Sequence, residues 1–310
     1  MPTPNPRAQG RAILERVRAG VAPGPLTRFA PAPTGWLHLG HLVNAVWVWG
    51  VARALEGRVL LRVEDHDRTR CRPEFEAGLL EDLAWLGLEP DAGIDPVLRQ
   101  SDRGAAYEAE LRGLEARGLA YGCRCSRKDI AAAAGDAPDV ETPYPGTCRG
   151  LGLPVAAGFG VRVPMDAGVE SFEDLRLGPQ AQEPARQCGD LLARDRLGNW
   201  TYQFCVVVDD RDQGVDLVIR GEDLLGSTGR QLRLARMLGR DVPPRFLHHP
   251  LVHRPDGSKL SKANRDTGLR DLRAAGHPPE ALLGEAAARS GLLDRPRPLR
   301  AEDLAGLFAG

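Results

Sequence analysis

The stretch from Arg28 to His41 restricts the fold more than any other part of this 310-residue chain. Leu26 to Ala30 reads as a short β-strand, and Pro31, Pro33 and Gly35 force a turn directly after it. An amphipathic helix then begins with His38 and His41 three residues apart, so both imidazoles face the same way. A helix N-terminus offers unpaired N–H groups and a partial positive charge, which suit a polyphosphate. Two histidines at that point can donate hydrogen bonds to a phosphoryl group.

The next segments extend this unit. Arg58 to Val63 is a nearly continuous apolar run that ends in Glu64 and Asp65, the pattern of a buried parallel strand with acids at its carboxyl end. The helix between the two strands carries Trp47 and Trp49, read as core residues. Strand, helix and strand make a right-handed βαβ unit. Glu74 to Leu86 reads as a further helix with Phe75, Leu79, Leu83 and Leu86 on one face.

From about Gln100 the texture changes. A helix (Ala105 to Arg117) leads to Tyr121–Cys125, an Ala-rich stretch (Ile130 to Ala137), a Pro/Gly turn (Pro143 to Gly150) and short strand signals over 160–190. Parallel-strand texture returns with Cys205–Asp209 and Leu217–Arg220. A helix (Arg230 to Leu238), an apolar run (Phe246 to Val252) and a Ser/Lys loop with helical segments complete the chain. This alternation predicts an α/β fold with a doubly wound, Rossmann-like parallel sheet. The expected divisions are an N-terminal extension (1–24), flexible or loosely docked, and a first half of the catalytic domain (25–99). An inserted subdomain (100–190), a second half (191–256) and a short helical C-terminal region with its Lys/Ser loop (257–310) follow.

Composition narrows the class. Hydrophobic residues at 42% and charged residues at 27% are ordinary for a globular protein, and the net charge of −1 gives no bulk argument for nucleic acid. No apolar run approaches membrane-spanning length, and the Pro- and Arg-rich N-terminus has no signal-peptide core. Six unevenly spaced cysteines do not resemble a secreted disulfide scaffold. We expect a cytoplasmic monomer that does not engage a membrane.

A second phosphate-directed element lies far downstream, where Lys259 and Lys262 bracket Ser261. Alone it is a solvated polar loop. Paired with His38, Gly40 and His41 it resembles the signature pair of class I aminoacyl-tRNA synthetases. The resemblance implies one ATP, with magnesium, held by His38, Gly40, His41 and Lys262. It makes His38, His41, Lys259 and Lys262 catalytic, stabilising charge as an amino-acid carboxylate attacks the α-phosphate and pyrophosphate leaves.

The flanking residues narrow the resemblance to the glutamyl branch. They are Arg28–Gly35, then Arg62–Asp65 with Asp67 and Arg70, Tyr202–Gln203, Val207–Asp210 and Ile219–Leu225. Carried over by position, the resemblance places L-glutamate against Arg28, Phe29, Ala30, Pro31, Ala32, Glu64, Tyr202 and Arg220. Arg28, Tyr202 and Arg220 then serve carboxylates and Glu64 the α-amino group. Two arginines and one acid are the charge complement of glutamate, and Arg28, Glu64 and Arg220 stand at predicted carboxyl ends of strands, where such sheets bind ligands. Two positions depart from the family: Ala32 stands where serine is usual, and Ala263 where Ser or Arg is frequent.

Cys123, Cys125 and Cys148 form a cluster without a histidine nearby; three free thiols are the alternative reading. The pattern resembles a zinc site of the same family, in which a tyrosine completes three cysteines. The resemblance implies one structural zinc on Cys123, Cys125, Tyr144 and Cys148. Few residues follow the lysine loop, so no anticodon-binding domain is expected. A catalytic core of that extent resembles the glutamyl-queuosine tRNA(Asp) synthetases, which implies transfer of glutamate to the queuosine base in the anticodon loop of tRNA(Asp). A truncated glutamyl-tRNA synthetase charging a 3′ end, or an inactive nucleotide- or RNA-binding paralogue, are the alternatives. Arg230, Arg233, Arg236 and Arg240 along one helix, and Arg124, Arg127, Lys128 and Arg149 near the cysteines, read first as solvated faces.

Overall fold

A computed structural model describes residues 6–134, 142–252 and 268–309. The first helix, α1 (Pro6–Gly20), leads into β1 (Leu26–Phe29), α2 (Leu39–Ala54), β2 (Arg58–Leu61) and α3 (Pro73–Leu86). β1 and β2 pair in parallel with Arg28 opposite Leu60, as the βαβ reading requires. Outside β2, residues 92–99 add parallel bridges from Leu60 to Ala92 and from Val63 to Arg99.

α2 is apolar on nearly every side, and such a helix must be buried. Val46, Trp47, Val48 and Val51 have no exposed surface. Helices later in the chain supply the cover on its outer side. α1 is not the loosely docked extension that its composition predicts. Ile13, Leu14 and Val17 lie at 4-residue and 3-residue spacing and join the main core, fully or almost fully buried. A Pro- and Arg-rich stretch thus contains one narrow apolar stripe, enough to seat the helix.

The middle of the chain runs through α4 (Gly104–Ala116), β3 (Tyr121–Cys123), α5 (Arg127–Ala134), β4 (Gly160–Val163), β5 (Glu170–Asp174), β6 (Gly178–Gln182), α6 (Pro184–Gln187) and β7 (Leu191–Arg194). β3, β4 and β7 form a small antiparallel sheet. The β5–β6 hairpin leaves it and joins the parallel sheet, where Asp174 registers with Phe246. The expected insertion therefore feeds two sheets, one of them the sheet that holds β8 and β9.

The remaining elements are α7 (Tyr202–Asp212), β8 (Leu217–Gly221), α8 (Thr228–Met237), β9 (Arg245–His249), α9 (Leu269–Ala274), α10 (Pro279–Arg289) and α11 (Gly306–Ala309). β8 and β9 pair in parallel. β8 lies beside β1: the Asp216 N–H donates to Leu26 O at 2.9 Å and the Leu26 N–H to Asp216 Oδ2 at 3.0 Å. α10 and α11 pack on α2.

One strand assignment is overturned. Cys205–Asp209 is part of α7, with Phe204 to Asp210 all buried. A short apolar run with three valines fits a buried strand or a buried helix equally by pattern, and β-propensity yields to packing. The helix also satisfies the two acids that end the run. Asp209 accepts from the Tyr107 hydroxyl at 2.9 Å and from Gln100 Nε2 at 2.7 Å, and Asp210 accepts from Arg62 Nη1 at 2.8 Å.

Candidate active site

Two neighbouring segments of the sheet, β1 and β8, end at one cavity of about 270 Å³. Arg28, Phe29, Ala30 and Pro31 line it from β1, His38, Gly40 and His41 from the start of α2, Glu64 from beyond β2, Tyr202 from α7 and Arg220 from β8. Residues as far apart in the chain as Arg28 and Leu251 thus line one cavity. Ala32 is not part of the lining. Lys259 and Lys262 lie outside the described residues, as does Ala263.

One end of the cavity is organised by the histidines themselves. His38 is the N-cap of α2, and its Nδ1 accepts from the Gly40 N–H at 3.1 Å. His41 Nδ1 accepts from the His38 N–H at 3.1 Å. This reciprocal cap uses imidazoles in place of the usual hydroxyl and carboxylate. Because both Nδ1 atoms accept, both protons reside on Nε2, so each ring is a donor on its far edge. The rings lie 4.0 Å apart between centroids. Gly40 is needed for close approach: a Cβ there would stand 3.0 Å from His38 Cε1.

Behind the rings, Asn44 Nδ2 lies 3.1 Å from His249 Nε2, and His249 Nδ1 lies 2.9 Å from Pro250 O. A neutral His249 with its proton on Nδ1 meets both contacts. Burial lowers the His249 imidazole to about 4, so it stays uncharged near neutrality.

The other end of the cavity is a buried ionic layer. Arg62 has no exposed surface, pairs with Glu64 at 3.0 Å and Asp210 at 2.8 Å, and donates to Gln213 Oε1 at 2.8 Å. Arg28 contacts Asp210 at 3.3 Å and Ile219 O at 3.3 Å. Burial raises the Glu64 carboxyl above its ordinary value, with Arg62 and Arg28 opposing. Burial also raises the Tyr202 hydroxyl and lowers the Arg220 guanidinium. Among the described residues no carboxylate stands within 4.0 Å of Arg220. Its donors meet neutral acceptors: His248 Nε2 at 3.0 Å, Gln231 Oε1 at 2.7 Å and Thr228 Oγ1 at 2.9 Å. An excess positive charge in a buried cleft is the electrostatic complement of an anionic ligand.

Sequence reasoning named Arg62 and Asp210 only as members of the segments that resemble the family and gave them no role, and it did not single out Asn44, His249, His248 or Gln231. Their roles are partnerships across elements, which spacing along the chain does not reveal. The adjacent acids Asp209 and Asp210 at the end of an apolar run were the one available signal.

The second cluster lies in the small antiparallel sheet. The sulfur atoms of Cys123, Cys125 and Cys148 all fall within 4.8 Å of one another. The Tyr144 hydroxyl lies 3.4 Å from Cys123 Sγ and 3.9 Å from Cys125 Sγ, and accepts from the Cys148 N–H at 2.7 Å. Four bonds of roughly 2.3 Å at tetrahedral angles put sulfurs about 3.8 Å apart, so the donor set fits one tetrahedral ion. The Arg162 guanidinium stacks 3.7 Å over the Tyr144 ring, and its Nε donates to Cys123 Sγ at 3.4 Å. Burial raises Cys125 to about 11, whereas hydrogen bonds from Tyr144 and backbone outweigh burial at Cys148 and lower it to about 7. Cys71, Cys188 and Cys205 stand apart from this cluster.

The candidate basic faces divide. Arg233 and Arg236 both pair with Glu170, Arg240 donates to Val215 O at 2.6 Å, and Arg149 pairs with Asp166. Arg124, Arg127 and Lys128 are exposed beside the cysteines.

Comparison with known proteins decides the family. The family model of class I tRNA synthetases (E and Q), catalytic domain, matches residues 26–293. A glutamyl-Q tRNA(Asp) synthetase of Bordetella bronchiseptica is 47% identical over 84% of this chain and 87% of its own length. The chain belongs to the class I glutamyl-Q tRNA(Asp) synthetases. A second such synthetase, from Symbiobacterium thermophilum, is 43% identical over 91% of each chain. A crystal structure of a glutamate tRNA ligase from Elizabethkingia meningosepticum, in complex with its amino acid, superimposes with a TM-score of 0.74 at 25% identity. That match covers 91% of this chain and 64% of the ligase. The class I synthetase therefore has the mixed α/β catalytic fold with a parallel sheet, as expected, and is an enzyme of the ligase class. No helix among the described residues is long and apolar enough to cross a membrane.

Proposed function

We propose that the protein joins L-glutamate to AMP with ATP and then transfers the glutamyl group to the queuosine base in the anticodon loop of tRNA(Asp), in the cytoplasm and as a monomer. The observation that carries the first step is the single cavity that puts His38 and His41 at one end and Arg28, Glu64, Tyr202 and Arg220 at the other. The names of relatives at 47% and 43% identity support the acceptor.

In this reading Arg220 and Tyr202 hold one carboxylate, Arg28 the other, and Glu64 the ammonium. The Nε2–H groups of His38 and His41 face the phosphates of ATP, which arrives with magnesium, and Gly40 keeps the approach open. One α-carboxylate oxygen bonds to the α-phosphorus, and the bond to pyrophosphate breaks. The donors stabilise negative charge that grows on the phosphoryl oxygens. Lys259 and Lys262 complete this function by their motif. A nucleophilic group of queuosine then bonds to the glutamyl carbonyl, and AMP leaves with the bonding electrons.

Cys123, Cys125, Tyr144 and Cys148 hold one zinc ion, which when bound supplies a fixed cross-link between the loops of the small sheet. Its role is structural. The domain divisions at residues 24, 99, 190 and 256 follow the same reading, with β5 and β6 contributing to the catalytic sheet.

The test is glutamate-dependent ATP–pyrophosphate exchange without tRNA, followed by transfer to tRNA(Asp) with and without queuosine and to tRNA(Glu). Exchange, and queuosine-dependent transfer to tRNA(Asp) from which the 3′-terminal adenosine has been removed, are expected. Efficient 3′-end charging of tRNA(Glu) would replace this reading with that of an ordinary glutamyl-tRNA synthetase.

A further inference from the structure

Among the described residues, Arg220 differs from the other cavity cations in being held without a charged partner at contact distance. One of its neutral acceptors, His248, is backed by a carboxylate. His248 Nδ1 lies 2.7 Å from Asp174 Oδ2, and both side chains are fully buried. Asp174 also accepts the N–H groups of Arg176 at 3.1 Å, Leu177 at 2.8 Å and His248 at 3.1 Å. These bonds give one consistent proton assignment. The carboxylate has no hydrogen to offer, so the proton sits on His248 Nδ1. The Arg220 Nε–H is a donor, so His248 Nε2 is bare at 3.0 Å. The Thr228 hydroxyl, 3.4 Å from the same Nε2, accepts from Arg220 Nη2. His248 is therefore a neutral imidazole whose orientation and tautomer are fixed from behind.

We propose that Asp174 and His248 are positioning residues for the amino-acid substrate: Asp174 locks the tautomer of His248, and His248 Nε2 aims Arg220 at the substrate's carboxylate without neutralising it. The inference rests on the reading of Arg220 as a carboxylate ligand. An acidic residue in place of His248 would satisfy Arg220 internally and compete with the substrate. A neutral acceptor orients the guanidinium and leaves its charge to be met by a ligand anion, which favours a carboxylate over a carboxamide. The anchor comes from β5, so the segment between the two catalytic halves takes part in amino-acid selection.

Two measurements test this. The first is the ¹⁵N spectrum of histidine-labelled wild-type protein near pH 7.5. His248 is expected as the Nδ1–H neutral tautomer; an Nε2–H tautomer or an imidazolium would overturn the proposal whether or not any variant folds. The second is exchange kinetics of His248→Asn and His248→Gln. Asparagine keeps a donor near Asp174 and loses the acceptor facing Arg220, whereas glutamine places an oxygen where Nε2 was. His248→Asn should raise the KM for glutamate about tenfold or more, with kcat and the KM for ATP changed less than about threefold, and His248→Gln should recover most of the loss. Equal KM values in the two variants, or a loss confined to kcat, would refute the positioning role. Wild-type exchange is measured in parallel. If it does not depend on glutamate, the reading of the cavity fails, while the tautomer result still decides the Asp174–His248 arrangement.

Discussion

The catalytic cavity and the cysteine cluster are both polar groups gathered inside the protein, yet they are assembled in opposite ways. The cavity joins residues from five separate elements, β1, α2, α7, β8 and β9, and from the segment after β2, and its charges are largely matched from within: Arg62 meets Glu64 and Asp210, and Arg28 meets Asp210. The cysteine cluster is local, drawn from residues 123–148, and its thiols have little besides one another, Tyr144 and Arg162. The parallel sheet and its core can hold the first site in shape before a ligand arrives. With the proposed zinc, the second would depend much more on an ion for its geometry, because metal binding at such a site is itself folding free energy. Removing a cavity charge should therefore change catalysis, and removing a cysteine should change stability.

The largest effect should come from Arg220→Ala. Loss of charge-assisted bonds to a substrate carboxylate is expected to lower kcat/KM for glutamate in the exchange assay by about 100-fold, with the melting temperature little changed. A variant that loses stability instead would place Arg220 with the structural ion pairs. Next comes Cys148→Ala, which should abolish the zinc found by metal analysis and lower the melting temperature on the order of 5 °C, while exchange at low temperature stays within about twofold of wild type. Collapse of exchange without a thermal shift would show that the two regions are not independent.

Acid should separate the regions further. The folded state holds His249 near 4, below its ordinary value of 6.5, so the stability it contributes is present above about 6.5 and is lost as pH falls toward 4. Up to about 3 kcal/mol is at stake, since a tenfold change in proton affinity is worth roughly 1.4 kcal/mol. Melting curves should show His249→Gln with a flatter acid limb than wild type over that window; parallel limbs would remove His249 from the account. The smallest effect should be that of Gly40→Ala. Alanine favours the helix by up to about 1 kcal/mol, but its Cβ would press on His38 at 3.0 Å. We expect a slightly raised melting temperature with kcat lowered a few-fold and the KM for glutamate unchanged, and an unchanged kcat would mean that the His38 cap is not needed for the phosphate end.

How far the sequence could be read follows the same contrast. The three cysteines were legible because their spacing is short and the donor types are few, whereas Tyr144 was singled out only by the family resemblance. Glu64 was legible as an acid at the end of an apolar run, whereas Arg28 and Arg220 were singled out by the family resemblance carried over by position. The helix at Tyr202–Asp212 was not: as a strand of 3.3 Å per residue it would carry Asp210 about 26 Å from Tyr202, whereas helical rise of 1.5 Å leaves them about 12 Å apart and close to one cavity. The choice was made by the core around Phe204–Val208 and by buried donors awaiting Asp209 and Asp210.

Taken by itself, the sequence determined the βαβ start, the imidazole pair at a helix N-terminus and the thiol cluster, because each is encoded by residues close in the chain or by residue type. The tertiary structure decided which charges are cancelled and which are left for a ligand. Arg28 has Asp210 beside it, while Arg220 has His248, Gln231 and Thr228. That difference depends on which strands and helices lie side by side, and electrostatic energy in a buried site is set by distances through space rather than by positions along the chain.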